Sequence, residues 1–212
     1  FDITLNFDNG NYYATASYYI NDVDNYITLQ DELDDHDDHD DHDDHDDHDD
    51  HDDHDDHDPN ASADPHAHPE HANLIHANYI QEDAEFKGYE FEIGTTLSLG
   101  SGDLTLSFGR DEVDAEFSDG HNVPRINPAR NIYSLTYVEN DWVFKMSLKD
   151  VDEQDEIGEG ETVTESYQML NARLTKTYDL PGSSELKVSI FGSNLQDEVA
   201  RNHSSFVKNQ VP

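Results

Sequence analysis

Residues 132–148, IYSLTYVENDWVFKMSL, decide the fold. Ile132, Ser134, Thr136 and Val138 alternate with Tyr133, Leu135 and Tyr137. After Glu139-Asn140-Asp141 the alternation resumes, with Trp142, Phe144, Met146 and Leu148 set against Lys145, Ser147 and Lys149. A period of two is the period of a strand, and a short polar break between two such runs is a hairpin. Upstream, Leu104, Leu106 and Phe108 open a strand that continues loosely through Val113, Ala115 and Phe117. A polar loop then runs from Ser118 to about Arg130. Downstream, the acidic stretch 152–161 leads to a strand marked by Leu170, Ala172 and Leu174. Pro181-Gly182-Ser183-Ser184 turns it into Leu186, Val188 and Ile190.

The first third of the chain extends the pattern. Phe1, Ile3, Leu5 and Phe7 share one face, and Asp8-Asn9-Gly10 is a tight-turn signal. Tyr12, Ala14, Ala16, Tyr18 and Ile20 follow, then a change of phase to Val23, Ile27 and Leu29 that predicts a bulge near residues 21–24. From Tyr79, Ile80, Ala84 and Phe86 the phase changes again to Tyr89, Phe91, Ile93, Leu97 and Leu99. Gly88 stands at the change, which predicts a second bulge there. Gly100-Ser101-Gly102-Asp103 closes the set with a short turn.

Eight strands result, and their connections alternate short and long without exception. A soluble sandwich has no reason to keep that parity, whereas a transmembrane β-barrel has short turns on one side and long loops on the other. Tyrosines and Trp142 near strand ends suit interfacial aromatic girdles. Strands longer than ~10 residues would project beyond the bilayer. The alternative on pattern alone is a soluble antiparallel β domain. Eight strands could close a small barrel. The chain, however, opens at Phe1 within a strand pattern, without an initiator Met or signal peptide, and stops abruptly at Pro212. Residues 1–212 therefore read as one arc of a larger barrel.

Composition narrows the partners. The 212 residues carry a formal charge of −39, with 50 Asp and Glu against 11 Lys and Arg. Nucleic acid is an implausible partner and cations are plausible ones. There is no cysteine, so thiolate metal sites and disulfides are excluded. No run of eighteen apolar residues predicts a transmembrane helix. No nucleophile–base arrangement, phosphate loop or HExxH-type motif points to an enzyme.

Between the second and third strands, residues 34–58 read DDHDDHDDHDDHDDHDDHDDHDDHD, seventeen aspartates and eight histidines with no apolar residue. Such a segment cannot bury enough surface to offset its ordering entropy, and its like charges repel, so it is expected to be disordered. Imidazole nitrogen suits zinc, nickel and copper, and carboxylates draw cations in or complete a shell. In an extended chain a period of three puts every histidine on one side. The candidate metal ligands are His36, His39, His42, His45, His48, His51, His54 and His57 in the repeat, with His66, His68, His71 and His76 beyond it. The later four are less regular and nearer a strand, which suits a defined handover site. A solvated acidic spacer is the bland alternative, but a spacer needs no histidine. His121 and His203 taken singly read better as structural residues.

Three stretches carry a family resemblance: residues 79–92 (YIQEDAEFKGYEFE), 124–130 (PRINPAR) and 191–212 (FGSNLQDEVARNHSSFVKNQVP). Together with the strand ending Asn25-Tyr26-Ile27, they resemble the C-terminal part of a TonB-dependent outer-membrane receptor. The last stretch, with its Asn-Leu-x-Asp-Glu and Arg-Asn-His-Ser-Ser-Phe-Val-Lys segments, is similar to the zinc-receptor branch, of which a His-rich extracellular loop is also a hallmark. The resemblance implies a twenty-two-stranded barrel in the Gram-negative outer membrane, filled by an N-terminal plug and driven by the TonB complex. It further implies a final strand after Pro212, and a plug, TonB box and first strands outside residues 1–212. The expected function is uptake of divalent metal, zinc first. Nickel, copper or a metallophore stand as alternatives, as does a surface or secreted protein that sequesters metal without import. The expected partners are divalent metal ions, outer-membrane lipid and the TonB complex.

Overall fold

The computed structural model describes residues 1–31 and 77–208. Eight strands form one antiparallel sheet in strict sequence order: β1 (Asp2–Asp8), β2 (Tyr12–Asp31), β3 (Ala77–Leu99), β4 (Gly102–Phe117), β5 (Arg130–Glu139), β6 (Trp142–Val151), β7 (Tyr167–Leu180) and β8 (Ser184–Gly192). All eight expected strands are present, and every neighbour in space is a neighbour in sequence. The hairpin from which the pattern was read closes at Glu139 opposite Trp142, with Asn140 at φ 49°, a left-handed conformation that asparagine tolerates. Among the described residues β1 and β8 do not pair, so the sheet is an open arc rather than a closed eight-stranded barrel.

The two faces of the arc differ sharply in chemistry. Directly opposed residues share a face, so pairing traces rows across the sheet. One row runs Phe7, Ala14, Ile93, Phe108, Tyr133, Leu148, Leu170, and another Leu97, Leu104, Tyr137, Phe144, Leu174, Ile190. On the opposite face the interleaved row reads Tyr13, Gly94, Ser107, Ser134, Ser147, Asn171. Many side chains of the apolar face are exposed, Ile190 at 75% and Leu5 at 66%. A contiguous exposed apolar surface of this extent is an aggregation hazard in water and the expected wall surface in lipid. Phe108 packs at 4.9 Å from Tyr133 and 5.6 Å from Phe91 by ring centroids on this face, spacings typical of favourable aromatic pairs. Trp142 and Tyr178 flank it near the turns and Tyr18 near the loops, all exposed, as an aromatic girdle requires.

Beyond this belt, β2, β3 and β4 continue past their neighbours and the polarity reverses. The outward positions become Lys87, Asp114, Glu85 and Glu116. The inward positions become Phe86, Ala84, Ala115 and Phe117, the last three buried, in a small core with Val123 that Tyr26, Ile80 and Ile126 cover. Tyr26 meets Phe86 edge-on at 5.1 Å. At the border, Arg110 bonds Tyr89, Glu112, Asp152 and Asn131, a charged knot that would be costly inside lipid.

Of the two predicted bulges, one is present. The β2–β3 register shifts between Val23 and Tyr26, with Asn25 at φ 55°. Asn25 N–H donates to Asp83 Oδ1 at 2.7 Å, and Gln81 Nε2 donates to Asn25 Oδ1 at 2.9 Å, so the irregularity is pinned by side chains. No bulge exists at Gly88. It pairs with Tyr19 on one side and Val113 on the other, and both ladders pass through unbroken. The hydrophobic phase flips there because the two faces exchange polarity while the backbone runs on, the pattern expected where lipid gives way to water beside the sheet. Glycine has a different use at this position: a Cβ would stand 2.5 Å from the Tyr19 ring, which lies across it.

Candidate functional site

The predicted ligand histidines His36, His39, His42, His45, His48, His51, His54, His57, His66, His68, His71 and His76 lie outside the described residues. What the structure does describe is their mounting. Asp31 and Ala77 are cross-strand partners, so the segment 32–76 leaves and re-enters at adjacent points of one ladder. That rung stands twelve residues beyond Tyr89, roughly 40 Å along the strand at ~3.3 Å per residue. Among the described residues, no group of three or more histidine, aspartate or glutamate side chains could hold a metal ion.

The other long connections share this end of the sheet and bind one another. Loop 118–129 folds onto the inward face, where Val123, 1% exposed, is anchored by its N–H to the Ala115 carbonyl at 2.9 Å. Asn122 donates to the Ile157 carbonyl of loop 152–166. Gly158 comes so close to Pro124 that a Cβ would stand 2.7 Å from the proline Cα. Gln30 of β2 donates to Glu159 at 2.6 Å, which ties the protruding hairpin to the same loop.

Segment 193–208 closes the assembly through a buried polar clasp. His203 is 2% exposed, and its Nδ1 lies 2.8 Å from Thr164 Oγ1 and 3.3 Å from Lys208 Nζ. An ammonium has only protons to give, so Nδ1 accepts and the ring proton sits on Nε2. Nε2 faces Glu161 Oε2 at 3.5 Å. Glu161 also accepts from the backbone N–H of Arg125 and of Gly158, each at 3.0 Å. Burial pushes the Glu161 carboxyl up, but the His203 ring and those two N–H groups outweigh it and hold the group below the usual carboxylate range. The Arg125 guanidinium stacks 3.3 Å from the Phe206 ring centroid, a cation–π contact between the 124–130 and 191–212 stretches singled out in the sequence. His203 is thus a structural residue. His121 is exposed and bonds Asp119 at 2.7 Å, a contact that raises its pKa first by hydrogen bonding and then by charge.

Sequence reasoning missed Glu161 and Thr164. Both sit in a polar run with no periodicity, and their side-chain partners come from distant stretches, Arg125 for Glu161 and residues 203–208 for both. The resemblance of the 200–208 stretch was the one available signal.

An open antiparallel arc with a lipid-suited outer face, a polar inner face and long loops at one end fits the wall of an outer-membrane β-barrel. Residues 1–195 match the family model described as TonB dependent receptor-like, beta-barrel, and the chain belongs to that family of Gram-negative outer-membrane proteins. No curated protein matches the sequence. Among solved structures, 28 chains match the fold. One, Copper transporter OprC, superposes with a TM-score of 0.68 at 16% identity over 96% of this chain. The chain spans 26% of that protein.

Proposed function

We propose that the protein is a TonB-dependent receptor that takes up divalent metal, with zinc the leading substrate, and that residues 32–76 capture the metal at the cell surface. One observation carries the reading. A segment with twelve histidines is inserted where the two longest strands end, at the Asp31–Ala77 rung, on the side of the sheet that carries every other long connection. In this family that side is the outside of the cell. Aspartates concentrate cations there, and neutral histidines supply exchangeable nitrogen ligands. An array of many equivalent exchangeable ligands binds several ions loosely and releases them quickly, which suits delivery better than storage. His66, His68, His71 and His76, nearer the strand, would serve as the handover site, and selectivity would rest mostly on residues other than these.

The test is genetic. Deletion of the gene should slow growth under zinc limitation and lower zinc uptake. Normal growth and uptake would sink the zinc assignment, and loss of nickel or copper uptake in the same strain would reassign the metal. Zinc uptake that persists while surface-bound zinc falls would favour sequestration without import.

A further inference from the structure

The tight-turn signal Asp8-Asn9-Gly10 joins β1 to β2 at the short-turn end of the sheet, and all three residues are exposed. It also holds the one Asn-Gly pair in the 212 residues. Asparagine before glycine is prone to ring closure. The glycine nitrogen attacks the side-chain amide carbon, and no Cβ on the glycine crowds the ring that forms. Two obstacles slow this step in an ordinary chain. The amide nitrogen is a poor nucleophile until its proton is taken, and negative charge must build up on the side-chain oxygen.

The turn addresses both. Gly10 N–H donates to Asp8 Oδ1 at 2.7 Å, so a carboxylate already holds the proton that must leave. Asn9 Oδ1 accepts from the N–H of Tyr12 at 2.9 Å and from that of Asn11 at 3.2 Å. Two backbone donors on one side-chain oxygen are the arrangement that stabilises an oxyanion. Gly10 stands at φ 91° with nothing within 4 Å of the place a Cβ would take, so the turn is open to water. Asp119-Gly120 provides an internal contrast, since it could form the same ring and Gly120 has φ 89°. There the glycine N–H donates to the Phe117 carbonyl at 3.0 Å, and a carbonyl cannot take the proton away. Both Asp119 oxygens are held by His121, one by its backbone N–H and one by its ring.

We infer that Asn9 is a self-modification site, with Asp8 as general base and the Asn11 and Tyr12 N–H groups as oxyanion donors. The Gly10 nitrogen bonds to the Asn9 side-chain carbon and gives its proton to Asp8. The bond from that carbon to the side-chain nitrogen then breaks, and the nitrogen leaves as ammonia with the proton that Asp8 returns. Water opens the resulting succinimide ring. Residue 9 becomes aspartate or isoaspartate according to which ring carbonyl the water attacks. The net change consumes one water, releases one ammonia and needs neither oxidant nor reductant. It is one-way and adds negative charge beside Asp8, so the charge of this turn records the age of each molecule.

The experiment incubates the full-length receptor in detergent, at neutral pH, in water enriched in heavy oxygen. Peptide mass mapping follows residue 9, where ring opening leaves one labelled oxygen, and enzymatic methylation detects isoaspartate. Conversion should be several-fold faster in the folded receptor than in the same chain unfolded in guanidinium. Asp8→Asn keeps an acceptor oxygen but cannot take a proton, so it should slow conversion about tenfold or more. Residue 119 should gain no isoaspartate over the same period. No conversion at Asn9, or conversion as fast in the unfolded chain, overturns the site. Equal rates in Asp8→Asn and the native receptor, or isoaspartate forming at residue 119 as quickly as at residue 9, contradict the assigned role of Asp8. The comparison of folded and unfolded chains needs no variant, so it decides the matter even where Asp8→Asn does not fold.

Discussion

The belt of β1–β8 and the protruding part of β2, β3 and β4 share one unbroken set of ladders, yet they bury opposite faces. In the belt, Leu106, Leu135 and Phe144 point outward and Ser107, Ser134 and Lys145 inward. Above it, Lys87 and Asp114 point outward while Phe86 and Ala115 point inward. Strand alternation is a property of the backbone, but which face is apolar depends on what lies beside it. A continuous strand can therefore change its hydrophobic phase without changing its register, and Gly88 marks the level at which lipid would give way to water.

That contrast can be broken most sharply in the belt. Arginine in place of Leu106 should cost about 2–4 kcal/mol of stability in lipid, against little for Thr105→Arg, one residue away on the other face. Denaturant unfolding in bilayers measures both, and equal costs would mean that the outward face is misassigned. Phe117→Ala should cost about 3 kcal/mol, and the loss should be local. Amide exchange at Val123 would accelerate while the belt kept its protection; an unchanged Val123 would deny the small core its role. Gly88→Ala should cost about 1–2 kcal/mol by overpacking against Tyr19. In a Tyr19→Ala background the penalty should shrink, and a double-mutant cycle with no coupling would show that the ring does not need the space.

The smallest effect concerns acid. The Glu161 carboxyl sits below its usual range, so its charged form favours the closed loops. That contribution is complete above the ordinary carboxylate pKa and fades as the pH falls through the lowered value. Proteolysis within residues 152–166 should increase over that window, and Glu161→Gln should remove the pH dependence. Acid sensitivity that persists unchanged in Glu161→Gln would place the titrating group elsewhere.

The architecture was largely legible because period-two alternation and loop parity are local signals. All eight strands, the Asn25 bulge and the arc were readable from patterns such as residues 132–148. The Gly88 expectation failed because phase alone cannot distinguish a bulge from a change of surroundings; that needs the pairing partners Tyr19 and Val113. The clasp of His203, Glu161, Thr164 and Lys208 was illegible for a related reason. Its two halves, Glu161 with Thr164 and His203 with Lys208, lie about 40 residues apart in sequence, and only tertiary closure brings them together.

The account rests on the segment between Asp31 and Ala77 being a metal-capture device on a receptor wall. Calorimetric titration of zinc into the intact receptor and into a form lacking residues 34–58 tests it directly. Histidine must be neutral to ligate, so several zinc ions should bind the intact protein at pH 7.5, and far more weakly at pH 5.5, in a step the deletion abolishes. Calcium bound by aspartate would lack that pH dependence. Zinc affinity unchanged between the two pH values, or unchanged by the deletion, would contradict the claim.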